Sequence, residues 1–313
     1  LNNITNVNTY NIKDLSEKDI GRVARLITNN SLGLVLGGGG AKGFAHLGLF
    51  KAMNELDIPI DAIGGTSAGS IISAQIALGL SLEQILELNK NVNSLNMFKE
   101  YGFPYISLLK SKKIDKASKM VGSNRDIEDM WIPFFAPATD LTNSKLKLFE
   151  SGPVWEAIRS SGALPGIVLP HFKDNSILVD GGVLNNLPVD IMRKKFNGTI
   201  ICSSCSQEEH RPTNLNGIPN QLNLLFEKFF KKSDFKNKYD YVPTLGEIIL
   251  KMSVVSSSSL TNKNIDMSDL YLELPVQKYG LTDFNDKYMV EMIQIAYKYS
   301  IKKLSIFKNK LTI

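Results

Sequence analysis

The stretch LVLGGGGAKGFAHLGLF, from Leu34 to Phe50, contains the change of pattern that decides the fold. The apolar run Leu32–Leu36 predicts a buried strand, and the amphipathic segment that continues to Leu56 predicts a helix. Four consecutive glycines lie between them. A glycine-rich turn that leads from a strand into a helix is typical of an anion site in an α/β protein.

A second glycine-rich turn, GGTSAGS, follows the next apolar stretch, which contains Ala62 and Ile63. Gly65, Ser67 and Gly69 give it the pattern G-x-S-x-G, in which small neighbours let the backbone turn sharply and raise the serine hydroxyl at the sheet edge. The alternative is that Ser67 caps a helix on a tight turn. The order strand, helix, strand, helix predicts parallel strands, so that both turns lie at one carboxyl edge.

The first loop also has the spacing G-x-G-x-x-G, which occurs in dinucleotide-binding folds. Such folds place an acid at the carboxyl end of the second strand to hold the ribose. Asp57 and Asp61 come before that strand, at its opposite edge. A dinucleotide-binding protein therefore remains an alternative that these two acids count against.

We predict instead that Gly38, Gly39 and Gly40 form an oxyanion hole, in which backbone N–H groups stabilise the negative oxygen of a tetrahedral intermediate. Gly43 completes the motif. Lys42 has two interpretations: it adds positive potential near the loop, or it is a solvated lysine in the first turn of the helix.

A serine nucleophile needs a base, and the chain has three histidines. His210 alone follows the serine and a candidate acid in the order usual for this elbow, and it lies in a polar segment. His46 and His171 are out of that order, and we interpret them as structural.

The second candidate base is Asp180, which ends the apolar run Ile177–Val179 and begins the sequence DGGVLNNLP. Gly181 and Gly182 would let it approach another backbone closely. An aspartate requires an elevated pKa, or proton transfer within hydrogen-bond reach, to act as a base. A purely structural Asx turn is the alternative. This reasoning predicts a dyad of Ser67 and Asp180.

The three motifs GGGGAKG, GTSAG and DGG resemble those of the patatin-like phospholipase family. Longer stretches, such as LYLELPVQKYGLTDF, are similar to the catalytic domain of neuropathy target esterase and its bacterial relatives, so the resemblance covers most of residues 19–300. It implies a three-layer α/β/α fold with a central, mostly parallel sheet. It also implies hydrolysis of acyl esters of phospholipids or lysophospholipids, with no metal and no cofactor. The residues carried over are the nucleophile Ser67, the base Asp180, the oxyanion donors Gly38, Gly39 and Gly40, and the supporting residues Gly65, Gly69, Lys42, Gly43, Gly181 and Gly182.

We expect residues 1–30 to be an N-terminal lead-in segment with a helix, and residues 31–313 to form the catalytic domain. Residues 207–263 have the weakest pattern and are expected to be an insertion or lid region. Residues 101–123 are lysine-rich, and we expect an irregular excursion there. Both predictions rest on composition rather than on periodicity.

The net charge of +5 is too small for a dedicated nucleic-acid binder, and we expect no nucleic-acid partner. Residues 228–238, KFFKKSDFKNK, interleave five lysines with phenylalanines and suggest either a solvated face or peripheral contact with an anionic membrane. A lipid-surface scaffold with a degenerate site is thus a further alternative. No signal peptide or transmembrane run is evident, and Cys202 and Cys205 alone form no disulfide framework, so we expect a cytoplasmic protein. A redox or metal role for this cysteine pair is the alternative.

Overall fold

The computed structural model describes residues 10–13, 15–97, 100–103, 105–205, 220 and 245–311. The strands are β1 (Leu32–Leu36), β2 (Ala62–Gly65), β3 (Phe134–Asp140), β4 (Lys145–Phe149), β5 (His171–Lys173), β6 (Ser176–Asp180), β7 (Thr199–Ser204) and β8 (Leu270–Glu273). The helices are α1 (Glu17–Ile27), α2 (Ala45–Glu55), α3 (Ala68–Ala77), α4 (Leu82–Ser94), α5 (Ser111–Gly122), α6 (Val154–Ser161), α7 (Val189–Lys195), α8 (Leu245–Asp266) and α9 (Asp286–Lys308). Short 3₁₀ turns cover Gly40–Phe44, Ile127–Asp129 and Gly181–Val183.

Among the described residues, eight strands form one sheet in the order β5, β6, β3, β2, β1, β7, β8, with β4 also paired to β3. The neighbours of β1 are parallel to it, and so are the pairs β2 with β3 and β7 with β8. The ladders of β3 with β4, of β3 with β6 and of β5 with β6 are antiparallel. The expected mostly parallel sheet is confirmed.

The central strand β1 shows why helices cover both faces of this sheet. All five of its residues are buried, as expected of a parallel strand with no solvated side. Leu32, Leu34 and Leu36 pack into a cluster with α2, α3 and α9, whereas Val35 belongs to a second cluster with α7 and β7. Side chains that alternate along β1 therefore pack into two hydrophobic cores, one on each face of the sheet. The expected three-layer α/β/α architecture is confirmed.

One segment differs from the sequence-based expectation, and a second lies partly in a region for which no secondary structure was predicted. Residues 111–122, expected to be irregular, form helix α5, whose buried side includes Ala117 and Val121. Residues 245–266 form the long helix α8, which begins inside the expected insertion or lid region of residues 207–263 and ends beyond it. The insertion or lid itself stays a prediction. The expectation for residues 111–122 was wrong because the lysine content masked a helix that depends on tertiary packing for its stability.

Candidate active site

Ser67 lies at the turn between β2 and α3, where the sequence predicts a nucleophile elbow. Its φ of 53° is in the left-handed region, which a residue with a side chain adopts only under local constraint. A Cβ at Gly65 would lie 2.6 Å from the carbonyl oxygen of Leu36, and one at Gly69 would be closer still. Both elbow glycines are thus required by the close approach of β1. The Ser67 N–H donates to Ser161 Oγ at 3.0 Å, which fixes the turn from α6.

Asp180 reaches the same edge of the sheet by a route that the sequence does not show. Its strand, β6, is antiparallel to β3, so its carboxyl end points the opposite way from the ends of β1 and β2. Asp180 pairs with Ala138, whereas the β2 ladder to β3 ends at Phe135. Because β3 continues beyond the end of β2, Asp180 lies level with the elbow. Asp180 therefore joins the two glycine-rich turns from the end of an antiparallel strand.

The carboxyl of Asp180 is buried, and its two oxygens differ in their hydrogen bonds. Oδ1 accepts a hydrogen bond of 2.7 Å from the Gly182 N–H. Oδ2 is buried and makes no hydrogen bond of normal geometry among the described residues. Burial raises the pKa of Asp180 to about 6, and the nearby Ser67 hydroxyl and the Gly182 N–H oppose this shift. Ser67 is thus close enough to affect the carboxyl without a formed bond, and such contacts are often loose before substrate binds.

The glycine pair after Asp180 permits a close approach to β3 and to the elbow. A Cβ at Gly181 would collide with the Pro137 carbonyl oxygen and would lie 3.1 Å from Thr66 Cγ2. Thr66, which precedes the serine, donates from Oγ1 to the carbonyl oxygen of Asn185 at 2.9 Å. The aspartate turn and the elbow are therefore joined through the Thr66 side chain, which bonds to Asn185 and lies close to Gly181.

The glycine loop runs directly beside Ser67. A Cβ at Gly38 would lie 3.0 Å from Ser67 Cβ and 2.5 Å from Asn186 Oδ1. The Gly38 N–H donates to the carbonyl oxygen of Asn186 at 3.2 Å. Among the described residues, the N–H groups of Gly39 and Gly40 have no backbone partner. Of the three predicted oxyanion donors, Gly39 and Gly40 are thus the more available.

A buried cluster behind the loop supports its backbone. His46 Nε2 lies 2.9 Å from the Gly37 carbonyl oxygen, and Nδ1 lies 3.2 Å from Ser203 Oγ. Burial lowers the pKa of His46 to about 4, so the ring is neutral at pH 7, with one nitrogen donating to Gly37. A Cβ at Gly39 would lie 2.5 Å from Cys205 Sγ. These contacts agree with a structural role for His46.

The cysteine pair shows no sign of redox chemistry. Cys202 and Cys205 are both free and buried. Burial raises the pKa of Cys202 to about 11 and that of Cys205 to about 12, which disfavours the reactive thiolate at both positions. Among the described residues, no group of three or more His, Cys, Asp or Glu side chains could hold a metal ion.

Lys42 and Gly43 pack the loop against the interior. Lys42 is 2% exposed, so the interpretation as a solvated lysine is wrong. Its charge acts on the nearby Cys205 thiol, whose pKa it lowers against the effect of burial. A Cβ at Gly43 would lie 2.6 Å from Ala68 Cβ, so glycine is needed where the loop meets α3.

One of the two acids considered for a dinucleotide, Asp61, has another use. Asp61 accepts a bidentate pair of hydrogen bonds from Arg25 at 2.8 and 2.9 Å, and a third of 2.8 Å from the Leu32 N–H. It thereby ties α1 to the amino edge of the sheet, opposite the glycine loop. His171 Nδ1 contacts Ser160 Oγ at 2.6 Å. His210 and the segment 228–238 lie outside the described residues.

A large apolar pocket begins at Ser67. It encloses about 1130 Å³ of empty space, part of which is open to solvent. Helices α3, α4, α5 and α6 form most of its walls, together with the segments that follow α6 and precede α9. The lining residues are Gly40, Gly43, Phe44, Ser67, Ala68, Ile71, Ile72, Asn89, Val92, Asn93, Met97, Ile114, Ala117, Ser118, Val121, Ile158, Arg159, Gly162, Leu164, Ile167, Val168, Leu281, Thr282 and Phe284. The apolar lining suits a long apolar ligand with a polar group at Ser67.

Sequence reasoning missed several residues that support the site. Ser161 fixes the elbow from α6, and Asn264 on α8 donates to Asn185 at 3.1 Å and to the Leu187 carbonyl oxygen at 2.7 Å. Asn264 lies one residue beyond the segment 207–263 that was expected to be an insertion. A single buried asparagine in a serine-rich helix leaves no periodic signal, so these contacts could not be found without the structure.

Comparison with known proteins agrees with the geometry. A family model described as patatin-like phospholipase matches residues 34–193, which include both glycine turns and Asp180. The chain belongs to the patatin-like phospholipase family. Its matched segment covers the glycine loop, the elbow and the aspartate turn of the candidate site.

Relatives named as lipid hydrolases align along most of the chain. Lysophospholipase NTE1 of Meyerozyma guilliermondii is 30% identical over 99% of this chain, and patatin-like phospholipase domain-containing protein 6 of Homo sapiens is 31% identical over 90%. The chain spans 22% and 21% of the lengths of these two proteins. The solved structure of VipD from Legionella pneumophila covers 88% of this chain, which in turn covers 67% of VipD, with 14% identity and a TM-score of 0.47.

No helix among the described residues combines the length and the apolar character needed to cross a bilayer.

Proposed function

We propose that this chain is a serine esterase that hydrolyses fatty acyl esters of lysophospholipids or phospholipids. The observation that carries the proposal is the position of Ser67, which is 8% exposed and lies between a large apolar pocket and a buried carboxyl of raised pKa. The pocket suits an acyl chain, and the family and the named relatives support a lipid ester as the substrate class.

In the proposed acylation step, Ser67 Oγ attacks the ester carbonyl carbon while Asp180 accepts the hydroxyl proton. The unbonded Oδ2 is the oxygen available to take that proton. The carbonyl oxygen of the ester becomes negative, and the Gly39 and Gly40 N–H groups donate hydrogen bonds to it. Gly38, beside Ser67, completes the loop. The tetrahedral intermediate then collapses, the alcohol leaves with the proton from Asp180, and an acyl-enzyme remains.

Deacylation repeats the chemistry with water. Asp180 takes a proton from a water molecule while the water oxygen attacks the acyl carbon. Asp180 then returns the proton to Ser67 Oγ as the fatty acid leaves. Because Asp180 acts as both base and acid, this route requires no histidine, and buried His46 is bonded to the Gly37 carbonyl oxygen and to Ser203. Peripheral membrane contact and a cytoplasmic location remain proposals from the sequence.

A fatty-acid release assay with lysophosphatidylcholine tests this function. We expect turnover by the unmodified chain and a loss of at least about a thousandfold in both Ser67→Ala and Asp180→Asn. Ser73→Ala is a matched control, because it removes a buried hydroxyl from α3, the helix that follows Ser67. Within the described part of the chain, this hydroxyl donates to the Gly64 carbonyl oxygen. Undiminished turnover in Ser67→Ala would refute the proposed nucleophile. Absence of turnover in the unmodified chain would favour a lipid-binding module with a degenerate site.

A further inference from the structure

Large apolar side chains are concentrated on the surface between α4 and α5. Tyr101 is 71% exposed, Phe103 88% and Tyr105 85%, and Ile106 follows at 49%. We call residues 101–106 the aromatic loop. Single exposed apolar residues are normal, but a contiguous patch of them marks an interaction surface.

The described backbone of this loop is hydrogen-bonded. The Gly102 N–H donates to the Leu108 carbonyl oxygen, and the Lys110 N–H donates to that of Glu100, both at 2.9 Å. Tyr101 and Leu109 form an antiparallel bridge. The aromatic side chains are therefore presented from a hairpin-like turn.

Positive charge accompanies the aromatic residues. Residues 100–119 contain five lysines and two acids, and both acids are engaged in ion pairs. Glu100 pairs with Lys113 at 2.9 Å, and Asp115 pairs with Arg159 at 2.6 Å. The exposed lysines are Lys110, Lys112, Lys116 and Lys119. Exposed aromatic rings beside lysines match the interface of a bilayer that contains anionic lipids.

The aromatic loop also adjoins the pocket that begins at Ser67. The Leu108 N–H donates to the Gly166 carbonyl oxygen, and the Leu109 N–H donates to that of Ile167, both at 2.9 Å. Ile167 lines the pocket, and so does Ile114 in the first turn of α5. A bilayer bound at the loop would therefore lie next to the apolar walls.

We infer that the aromatic loop and the exposed lysines of α5 dock this chain onto an anionic lipid bilayer, next to the acyl pocket. This inference rests on the proposed function for its choice of partner. The rings would enter the interfacial region, and the lysines would contact the headgroups. The exposed lysines complement a negative surface, which favours a bilayer over a second, equally basic copy of this chain.

Vesicle sedimentation tests the inference without turnover, because the protein carries Ser67→Ala throughout. The vesicles contain phosphatidylcholine with or without phosphatidylserine. We expect Phe103→Ser combined with Tyr105→Ser to weaken binding to the anionic vesicles at least about tenfold, because two interfacial side chains are lost. Lys112→Gln combined with Lys116→Gln should weaken the same binding about tenfold or more, and added salt should reduce the difference.

Ile306→Ser is the matched control. Ile306 is 66% exposed and lies among lysines near the end of α9, roughly 30 Å along the helix from the residues that line the pocket. We expect its binding to be unchanged. Equal binding by the aromatic double variant, or an equal loss in Ile306→Ser, would overturn the inference. The inference would also be overturned if the parent protein did not bind vesicles but formed a dimer in solution that Phe103→Ser abolishes. Failure of the esterase proposal would appear separately, as absent ester turnover in the chain with Ser67 intact.

Discussion

The Gly182 N–H donates a hydrogen bond of 2.7 Å to Oδ1 of Asp180 and thereby fixes one oxygen of a buried carboxyl. The other oxygen has no such bond among the described residues, and Ser67 is its neighbour in the proposed mechanism. One oxygen is thus used to orient the carboxyl, and one is open to a proton. This division explains how an aspartate could serve as a base without a histidine.

The pH dependence of activity should follow Asp180. Burial raises the pKa of its carboxyl to about 6, and the proposed base must be ionised to accept the serine proton. We predict that kcat/KM for a soluble ester is constant above about pH 7 and falls tenfold per pH unit below about 6. A pH profile of the free enzyme measures this. A profile that stays flat down to pH 4 would show that no such group controls the reaction.

Stability should change with pH in the opposite sense to activity. The folded pKa of Asp180 is above the value of 3.8 for an unperturbed group, so its favourable contribution is complete below pH 3.8 and is lost as pH rises through about 6. Asp180→Asn should therefore raise the free energy of unfolding at pH 8 by roughly 3 kcal/mol, and by less at pH 5. Urea unfolding at both pH values measures the gain. Asp174→Asn, on an exposed turn, should show none; a destabilised Asp180→Asn at pH 8 would contradict the electrostatic account.

The fit between the glycine loop and Cys205 can be tested by paired substitutions. A Cβ at Gly39 would lie 2.5 Å from Cys205 Sγ, and the next nearest atom is 3.4 Å away. We predict that Gly39→Ala displaces the loop and lowers kcat about a hundredfold, comparable to the loss of one oxyanion donor. Cys205→Ala alone should remain active, and the double variant should recover at least tenfold over Gly39→Ala. No recovery would show that the loop is not limited by this contact.

The pocket should determine which acyl chains are accepted. Ala117 lines it from α5, so Ala117→Phe would fill part of the 1130 Å³ space. We expect kcat/KM to fall at least about tenfold for a long-chain lysophospholipid and much less for a butyrate ester. Glu87→Phe, on the exposed side of the neighbouring pocket helix α4, is the control and should preserve the ratio. Equal losses for both esters in Ala117→Phe would mean that the acyl chain binds elsewhere.

Local patterns allowed much of the site to be predicted from the sequence. The strand Leu32–Leu36 has the predicted bounds, because a continuous apolar run followed by glycines permits few other structures. The elbow at Ser67 and the turn after Asp180 are each formed by residues that are adjacent in sequence. The local motifs were therefore sufficient to predict both turns. The family resemblance then joined motifs that lie far apart in the chain.

Features that depend on long-range packing could not be predicted in this way. The antiparallel direction of β6 depends on pairing with β3, and no residue near Asp180 encodes it. The contact of Cys205 with Gly39 joins residues from two different strand ends. Helix α5 did leave a signal, since Ile114, Ala117 and Val121 have helical spacing, but its lysines obscured that pattern.

The central claim is that Ser67 is a nucleophile activated by Asp180, and covalent labelling with a fluorophosphonate tests it most directly. Peptide mapping by mass spectrometry should locate one adduct on Ser67, absent in Ser67→Ala and formed at least about a hundredfold more slowly in Asp180→Asn. Ser70→Ala removes a neighbouring buried hydroxyl and should still be labelled. An adduct on another residue, or undiminished labelling in Ser67→Ala, would contradict the account.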